Sequence, residues 1–443
     1  MADQDDAERF PADLFASRRA DAFDRLGRGV LVLPAAPILY RSRDIEVPYR
    51  PDSELYYLTG ATEPGTVAVF SGSEGRYVLF VRERDPDAEL WSGERLGPEG
   101  AAERFGADET YPLAELETRL PELLQEGDRI HFRLGRADTL ERRVVAALDT
   151  ARKRGPRDGT GPRGTLDPGE ILDDMRLVKD AYEIERLQAA ARVTIEGHLA
   201  GLGAVRPGAG EWAVEAAVDG AFRAAGAAGA GFRTIVGSGP NACVLHHVRN
   251  DRTISRGDLV LVDAGAELEM YNGDVTRTVP VDGRFTATQR ALYDLVEAAR
   301  EVACASVKPG ATIAEVHTAA VGVLTEGLVE LGLLEGRVED IVERGGYRKY
   351  FPHRTSHWLG LDVHDPADYA RDGVSMQLEP GMVFTIEPGL YVPVVADGAA
   401  ARFAGMGVRI EDDVLVTESG CENLTASLPT AADELEEMLA GGR

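Results

Sequence analysis

The chain has 443 residues, 44% of them hydrophobic and 28% charged, a balance that suits a globular protein with room for two or three cored domains. A formal net charge of −27 argues against nucleic acid and anionic membrane as partners, because both need a positive face. Three scattered cysteines without a CxxC pair fit reduced thiols. The acidic start MADQDDAERF carries no apolar signal core and no long apolar run follows, so a cytoplasmic protein without a membrane span is expected.

In chain order, the first part alternates strand-like runs (Gly29 to Leu33, Val67 to Phe70, Tyr77 to Val81) with polar or helical segments, which predicts an α/β domain. Ala151 to Gly169 is rich in Gly, Pro and Arg and reads as a linker. The expected division is a smaller domain over 1–172 and a larger domain over 173–443. A helix then starts at a capping box of Asp180 and Glu183, with Ile184, Leu187, Ala191 and Ile195 at helical spacing. Further helices follow Pro207 and Pro309, with the prolines expected near their first turns. Ala432 to Gly442 reads as a short acidic helix ending at glycine.

Two strings repeat. Ile254 to Gly265 (ISRGDLVLVDAG) aligns without a gap on Leu378 to Gly389 (LEPGMVFTIEPG), so that Gly257 falls on Gly381 and Asp263 on Glu387. Each copy is a glycine turn, a buried strand and an acid. Val205 to Val218 similarly resembles Val307 to Ala320, a Pro-Gly followed by a helix start. Together they describe two related α/β units about a pseudo-two-fold, with acids at their junction. The second unit carries extra residues between helix and strand, and a histidine-rich segment lies there.

Asp274 follows the dipeptide Asn272-Gly273, a hairpin-type turn, and Glu411 lies in the strand-like run Gly407 to Val416. If Asp263, Asp274, Glu387 and Glu411 converge to about 5 Å, each pair of unit charges repels by roughly 3 kcal/mol at an effective dielectric of about 20. Six pairs exceed the roughly 5–15 kcal/mol that stabilises a domain. Either protons or cations must neutralise them; two divalent ions would cancel four carboxylates. The bland alternative is pairing with Arg277 and Arg409. Five of eight histidines cluster, His246 and His247 in one segment and His353, His357 and His364 in another. One can be a ligand and others can move protons. An oxygen-rich set with one imidazole suits manganese, cobalt, iron or zinc. The spacings match neither a HExxH helix nor a zinc finger.

The motifs DAG (Asp263 to Gly265), NGDVTRT (Asn272 to Thr278), SHWLGLDVHD (Ser356 to Asp365), TIEPGLY (Thr385 to Tyr391) and GVRIEDD (Gly407 to Asp413) resemble the dinuclear metallopeptidases of pita-bread fold, and more narrowly the aminopeptidase P family. Arg41 to Gly65, Ala88 to Gly97 and Glu422 to Ser427 extend the resemblance over nearly the whole chain. It implies a creatinase-like N-terminal α/β domain and a C-terminal pita-bread domain. It also implies Asp263, Asp274 and Glu411 on one metal, and Asp274, His357, Glu387 and Glu411 on the other, with manganese the family's usual ion. A hydroxide between the metals would attack the carbonyl before proline, with Glu387 as proton acceptor. His246, His353 and His364 match catalytic or supporting histidines. Arg409 and Tyr391 match the substrate pocket, and Asp44 and Trp91 match N-terminal positions that reach an active site in the family's oligomers. The implied substrates are peptides with proline second, and the implied assembly is a homo-oligomer, a dimer or tetramer. Xaa-Pro dipeptidase and a non-catalytic peptide-binding relative are the alternatives. His247 has no counterpart.

Overall fold

The computed structural model describes residues 11–135 and 138–441. Residues 1–10, on which the expectation of no signal peptide rests, lie outside the described residues. The chain divides into two compact units, with the break between Met175 and Arg176.

The N-terminal unit is built on a six-stranded mixed sheet. Its strands are β1 (Gly29–Pro34), β4 (Val67–Ser71), β5 (Arg76–Val81), β6 (Glu109–Pro112), β7 (Arg129–His131) and β8 (Gly164–Leu166), ordered β6-β5-β4-β1-β7-β8. Valines and aromatics at alternate positions (Val30, Val32, Val67, Val69, Val78, Phe80) pack one face of this sheet against Leu116, Leu120, Leu124 and Leu148 of two helices, as a strand's two-residue side-chain period requires. Two short strands, β2 (Tyr40–Ser42) and β3 (Ile45–Glu46), form an exposed hairpin beside the sheet.

The expected linker is not one. Helix Asp138–Asp158 runs through its first half, β8 pairs in parallel with β7, and helix Gly169–Leu177 begins at its end. Composition reported weak helix formers, but Val144, Ala147, Leu148 and Ala151 present a continuous apolar face to the core, and packing of such a face outweighs propensity.

The second unit repeats one plan. Helices Ala181–Ala204 and Glu211–Ala224 pack together, followed by the antiparallel sheet of β10 (Ile235–Ser238), β11 (Leu259–Ala264) and β14 (Val275–Pro280). Helices Ala287–Ser306 and Ile313–Glu330 also pack together, followed by β17 (Val383–Ile386), β20 (Asp412–Val416) and β21 (Cys421–Asn423). Small hairpins complete it: β9 (Gly229–Ala230) with β12 (Ala266–Leu268) and β13 (Tyr271–Asn272), β15 (Ala370–Arg371) with β16 (Val374–Ser375), and β18 (Gly389–Tyr391) with β19 (Gly407–Arg409). A bridge between Thr276 and Glu411 joins the halves. This is the two-domain α/β, pita-bread architecture. The capping box of Asp180 and Glu183 is present.

Two local expectations need correction. The hairpin turn before Asp274 falls at Glu269 and Met270, both at positive φ (49° and 76°), and not at Asn272-Gly273. Asn272 is held instead in β13, where its Nδ2 donates to Leu361 O at 2.8 Å. Both glycines are needed for closeness: a Cβ on Gly265 would lie 1.7 Å from Gly273 O, and one on Gly273 would lie 2.4 Å from Thr194 Oγ1. Pro207 and Pro309 lie in turns ahead of their helices, each followed by a glycine at positive φ (Gly208 at 85°, Gly310 at 82°).

Candidate metal centre

Asp263 is the penultimate residue of β11 and sits opposite Thr276 of β14. Asp274 immediately precedes β14, Glu387 immediately follows β17, and Glu411 precedes β20. The Thr276–Glu411 bridge therefore brings both repeats' acids to one junction. Ligand atoms of Asp274, His357 and Glu411 lie within 4.8 Å of one another. His357 Nε2 is 3.3 Å from Asp274 Oδ2 and 3.8 Å from Glu387 Oε1. The other ring nitrogen, Nδ1, lies 3.1 Å from Trp358 O; donation there leaves the Nε2 lone pair aimed at the carboxylates, the usual bracing of an imidazole ligand.

Burial first, and then the charges of Asp263 and Glu387, hold the Asp274 carboxyl well above the carboxylate range. Burial and the Asp274 and Asp263 charges do the same to Glu411. Glu387 is pushed up to about 8 by burial and Glu411. One cation is already present: Arg409 donates to Asp263 Oδ2. So half of the arginine-pairing alternative is realised, for one acid of four. Asp263 Oδ1 nevertheless stays buried without a hydrogen-bond partner. An unpartnered buried oxygen on Asp263, carboxyls that cannot all ionise and an imidazole lone pair among them form a donor set that fits divalent cations.

These side chains line one cavity of about 780 Å³. His246, His353 and His364 share its wall with Arg409, and Phe232, Ile235, Leu245, Val248 and Val363 supply apolar surface. The His364 ring meets that of His357 at 4.4 Å between centroids. His353 is fully engaged: Nδ1 is 2.7 Å from Arg354 O and Nε2 is 2.9 Å from Tyr391 Oη. Burial and Arg409 push its pKa down to about 3, so it stays neutral. Tyr391, expected in the substrate pocket, stands behind the wall instead. It is 5% exposed, and its hydroxyl accepts from Arg409 Nη1 at 2.9 Å.

Asp44 and Trp91 belong to the other unit. Asp44 sits in the β2–β3 turn, and Trp91 is 88% exposed on helix Pro86–Ser92. Thr276 went unpredicted although it lies inside a quoted motif. Its hydroxyl donates to Glu411 Oε2 at 2.6 Å and accepts from Arg409 Nε at 3.0 Å. The apolar lining residues carry no chemical signal in sequence.

Residues 185–418 match the model of metallopeptidase family M24, and residues 15–131 match the aminopeptidase P N-terminal domain. The chain belongs to metallopeptidase family M24. Among M24 relatives, it is 40% identical to the Xaa-Pro aminopeptidase of Escherichia coli, over 97% of this chain and 98% of that protein. It is 37% identical to Xaa-Pro aminopeptidase 1 of Streptomyces coelicolor, over 96% and 86%. The solved M24 structure of Pseudomonas aeruginosa aminopeptidase PepP superimposes with a TM-score of 0.93 at 40% identity, covering 98% of this chain and 99% of that one. Zinc-substituted E. coli aminopeptidase P in complex with product also gives 0.93, at 39% identity over 98% and 99%.

Proposed function

We propose that the chain is a manganese-dependent aminopeptidase that releases an N-terminal residue from peptides whose second residue is proline. The observation that carries this reading is the junction of Asp263, Asp274, Glu387 and Glu411 around the His357 lone pair, at the wall of a peptide-sized cavity. The N-terminal domain match favours an aminopeptidase over an Xaa-Pro dipeptidase.

Asp263, Asp274 and Glu411 would hold one divalent ion, and Asp274, His357, Glu387 and Glu411 the other. When bound, the ions supply an activated water and a Lewis acid for the scissile carbonyl. Glu387 accepts the water's proton. A proline nitrogen carries no hydrogen in the peptide bond and needs one on leaving; His246 and His364, both at the cavity wall, are placed to bring it. His353 acts differently from that pair. With both ring nitrogens committed, it anchors Tyr391 and through it Arg409, which keeps Asp263 oriented. The apolar wall gives the proline ring a surface to bury.

Among the described residues, no helix is long and apolar enough to cross a membrane; the cytoplasmic assignment is the reading of the sequence. The homo-oligomer we assign follows the family resemblance, and the exposed side chains Leu90 and Trp91 are apolar surface that a second copy would cover.

The test is release of the first residue from an X-Pro-Y tripeptide with manganese, beside X-Ala-Y and the X-Pro dipeptide. Cleavage of X-Pro-Y alone, lost on chelation, is the expected result. Cleavage of the dipeptide alone would move the assignment to a dipeptidase.

A further inference from the structure

His246 and His247 are adjacent but serve different surroundings. His246 lines the cavity, whereas His247 is 8% exposed and its Nε2 lies 3.1 Å from Glu211 Oε2. Glu211 is 0% exposed at the first position of helix Glu211–Ala224, where the helix N-terminus favours a negative charge. Its Oε1 accepts from Ser238 N and Oγ, both at 2.7 Å, and from Asn241 Nδ2 at 3.0 Å. Its Oε2 accepts from Arg252 N at 2.9 Å and Asn241 Nδ2 at 3.2 Å. Burial pushes the Glu211 carboxyl up, but these donors win and hold it below its usual range.

Glu211, His247 and Asp251 are close enough to suggest a cation site. The donors already on Glu211 occupy the roughly four lone-pair sites of a carboxylate, so the carboxylate is spoken for. It works as a hub that ties β10's end at Ser238, the turn Gly239–Cys243 and the loop at Arg252 to one helix. The segment between those ties carries Leu245, His246 and Val248, all cavity residues. Its far end is fixed separately: Asn250 Oδ1 accepts from Val236 N at 2.9 Å, and Arg233 donates to Val248 O at 2.7 Å. The side chain next to His246 that ties it to a helix is His247.

We propose that the His247–Glu211 hydrogen bond sets the place of His246 at the cavity wall, which makes His247 a positioning residue for Xaa-Pro hydrolysis. This rests on the reading of His246 as a residue that assists the substrate. A buried donor facing a carboxylate gives a directed, charge-assisted bond, and displacement of a reacting group by about 1 Å can cost up to about 100-fold in rate. Replacing His247 removes one donor from Glu211 and leaves the rest, so the fold is retained.

The experiment is a double-mutant cycle on the manganese-loaded enzyme with an X-Pro-Y tripeptide. His247→Ala is expected to lower kcat/KM about 10-fold, with the fold and metal content retained. In a His246→Ala background the same change is expected to cost less than about 2-fold, because the positioned group is gone. His247→Gln, whose amide can still reach Glu211, is expected to recover to within about 3-fold of the parent. An equal loss in both backgrounds would overturn the proposal, as would a His247→Ala enzyme of full activity. If His246→Ala itself is silent, the reading of His246 fails and the positioning role falls with it.

Discussion

Glu411 and Asp412 are consecutive acids, 2% and 0% exposed, yet they sit in opposite electrostatic worlds. Asp412 points into a completed cluster. Its Oδ1 accepts from Arg277 Nη2 at 2.7 Å and Thr425 Oγ1 at 2.8 Å; its Oδ2 accepts from Arg300 Nη1 at 3.1 Å and Asn423 Nδ2 at 2.9 Å. Burial raises its carboxyl, but Arg277 and Arg300 outweigh that and hold it below the usual range. Glu411 points the other way, into the cavity, where Thr276 is its hydrogen-bond donor and other carboxyls surround it; its carboxyl is held well above that range. The same backbone segment thus builds one site that neutralises itself and one that needs cations from outside. Buried acids are ordinary when arginine meets them, and informative when other acids do.

The difference is sharpest when each acid loses its charge. Glu411→Gln removes a ligand proposed to serve both ions, and activity is expected to fall by more than about 100-fold, beyond what loss of a supporting hydrogen bond costs. Metal content should fall while the circular dichroism spectrum is kept; near-normal turnover would remove Glu411 from the ligand set. Asp412→Asn should act on stability instead. It leaves the buried Arg277 guanidinium without an anion and Arg300 with Glu297 alone, which is expected to cost about 3–5 kcal/mol in denaturant titration. A smaller effect follows from pH. In the metal-free protein the Glu387 carboxyl titrates near 8, raised by burial and Glu411 from an ordinary 4.5. A group with a raised folded pKa stabilises fully below its unfolded value, and that contribution is lost as pH rises through the folded one. The melting temperature of the metal-free protein should therefore fall between about pH 5 and pH 8, and bound cations should flatten the slope. A flat curve without metal would mean that the acids are already neutralised within the protein.

The chemistry was more legible in the sequence than the packing around it. Asp263 and Glu387 announce themselves through the repeated glycine–strand–acid string, since a charge at the end of an apolar strand is unusual wherever the chain folds. Arg409 and Arg277 were set as candidate partners for the acids. The structure shows that Arg409 takes Asp263 while Arg277 takes Asp412, a division that depends on which face of each strand is turned inward. The turn at Glu269 and Met270 was hidden because neither residue type favours positive φ; tertiary ties on Asn272 displaced it from Asn-Gly. The segment from Ala151 to Gly169 looked like a linker because composition does not report the sheet that β8 joins. Phe232, Ile235 and Val363 reach the cavity only through folding, and His247 found its explanation in Glu211, 36 positions away.

The most direct test of the central claim is a manganese titration into chelator-stripped protein, following release of the first residue from X-Pro-Y. No turnover in the stripped protein and activity that saturates at two ions per chain are expected. Full activity without metal, or saturation with no ion held by Glu411, would contradict the account.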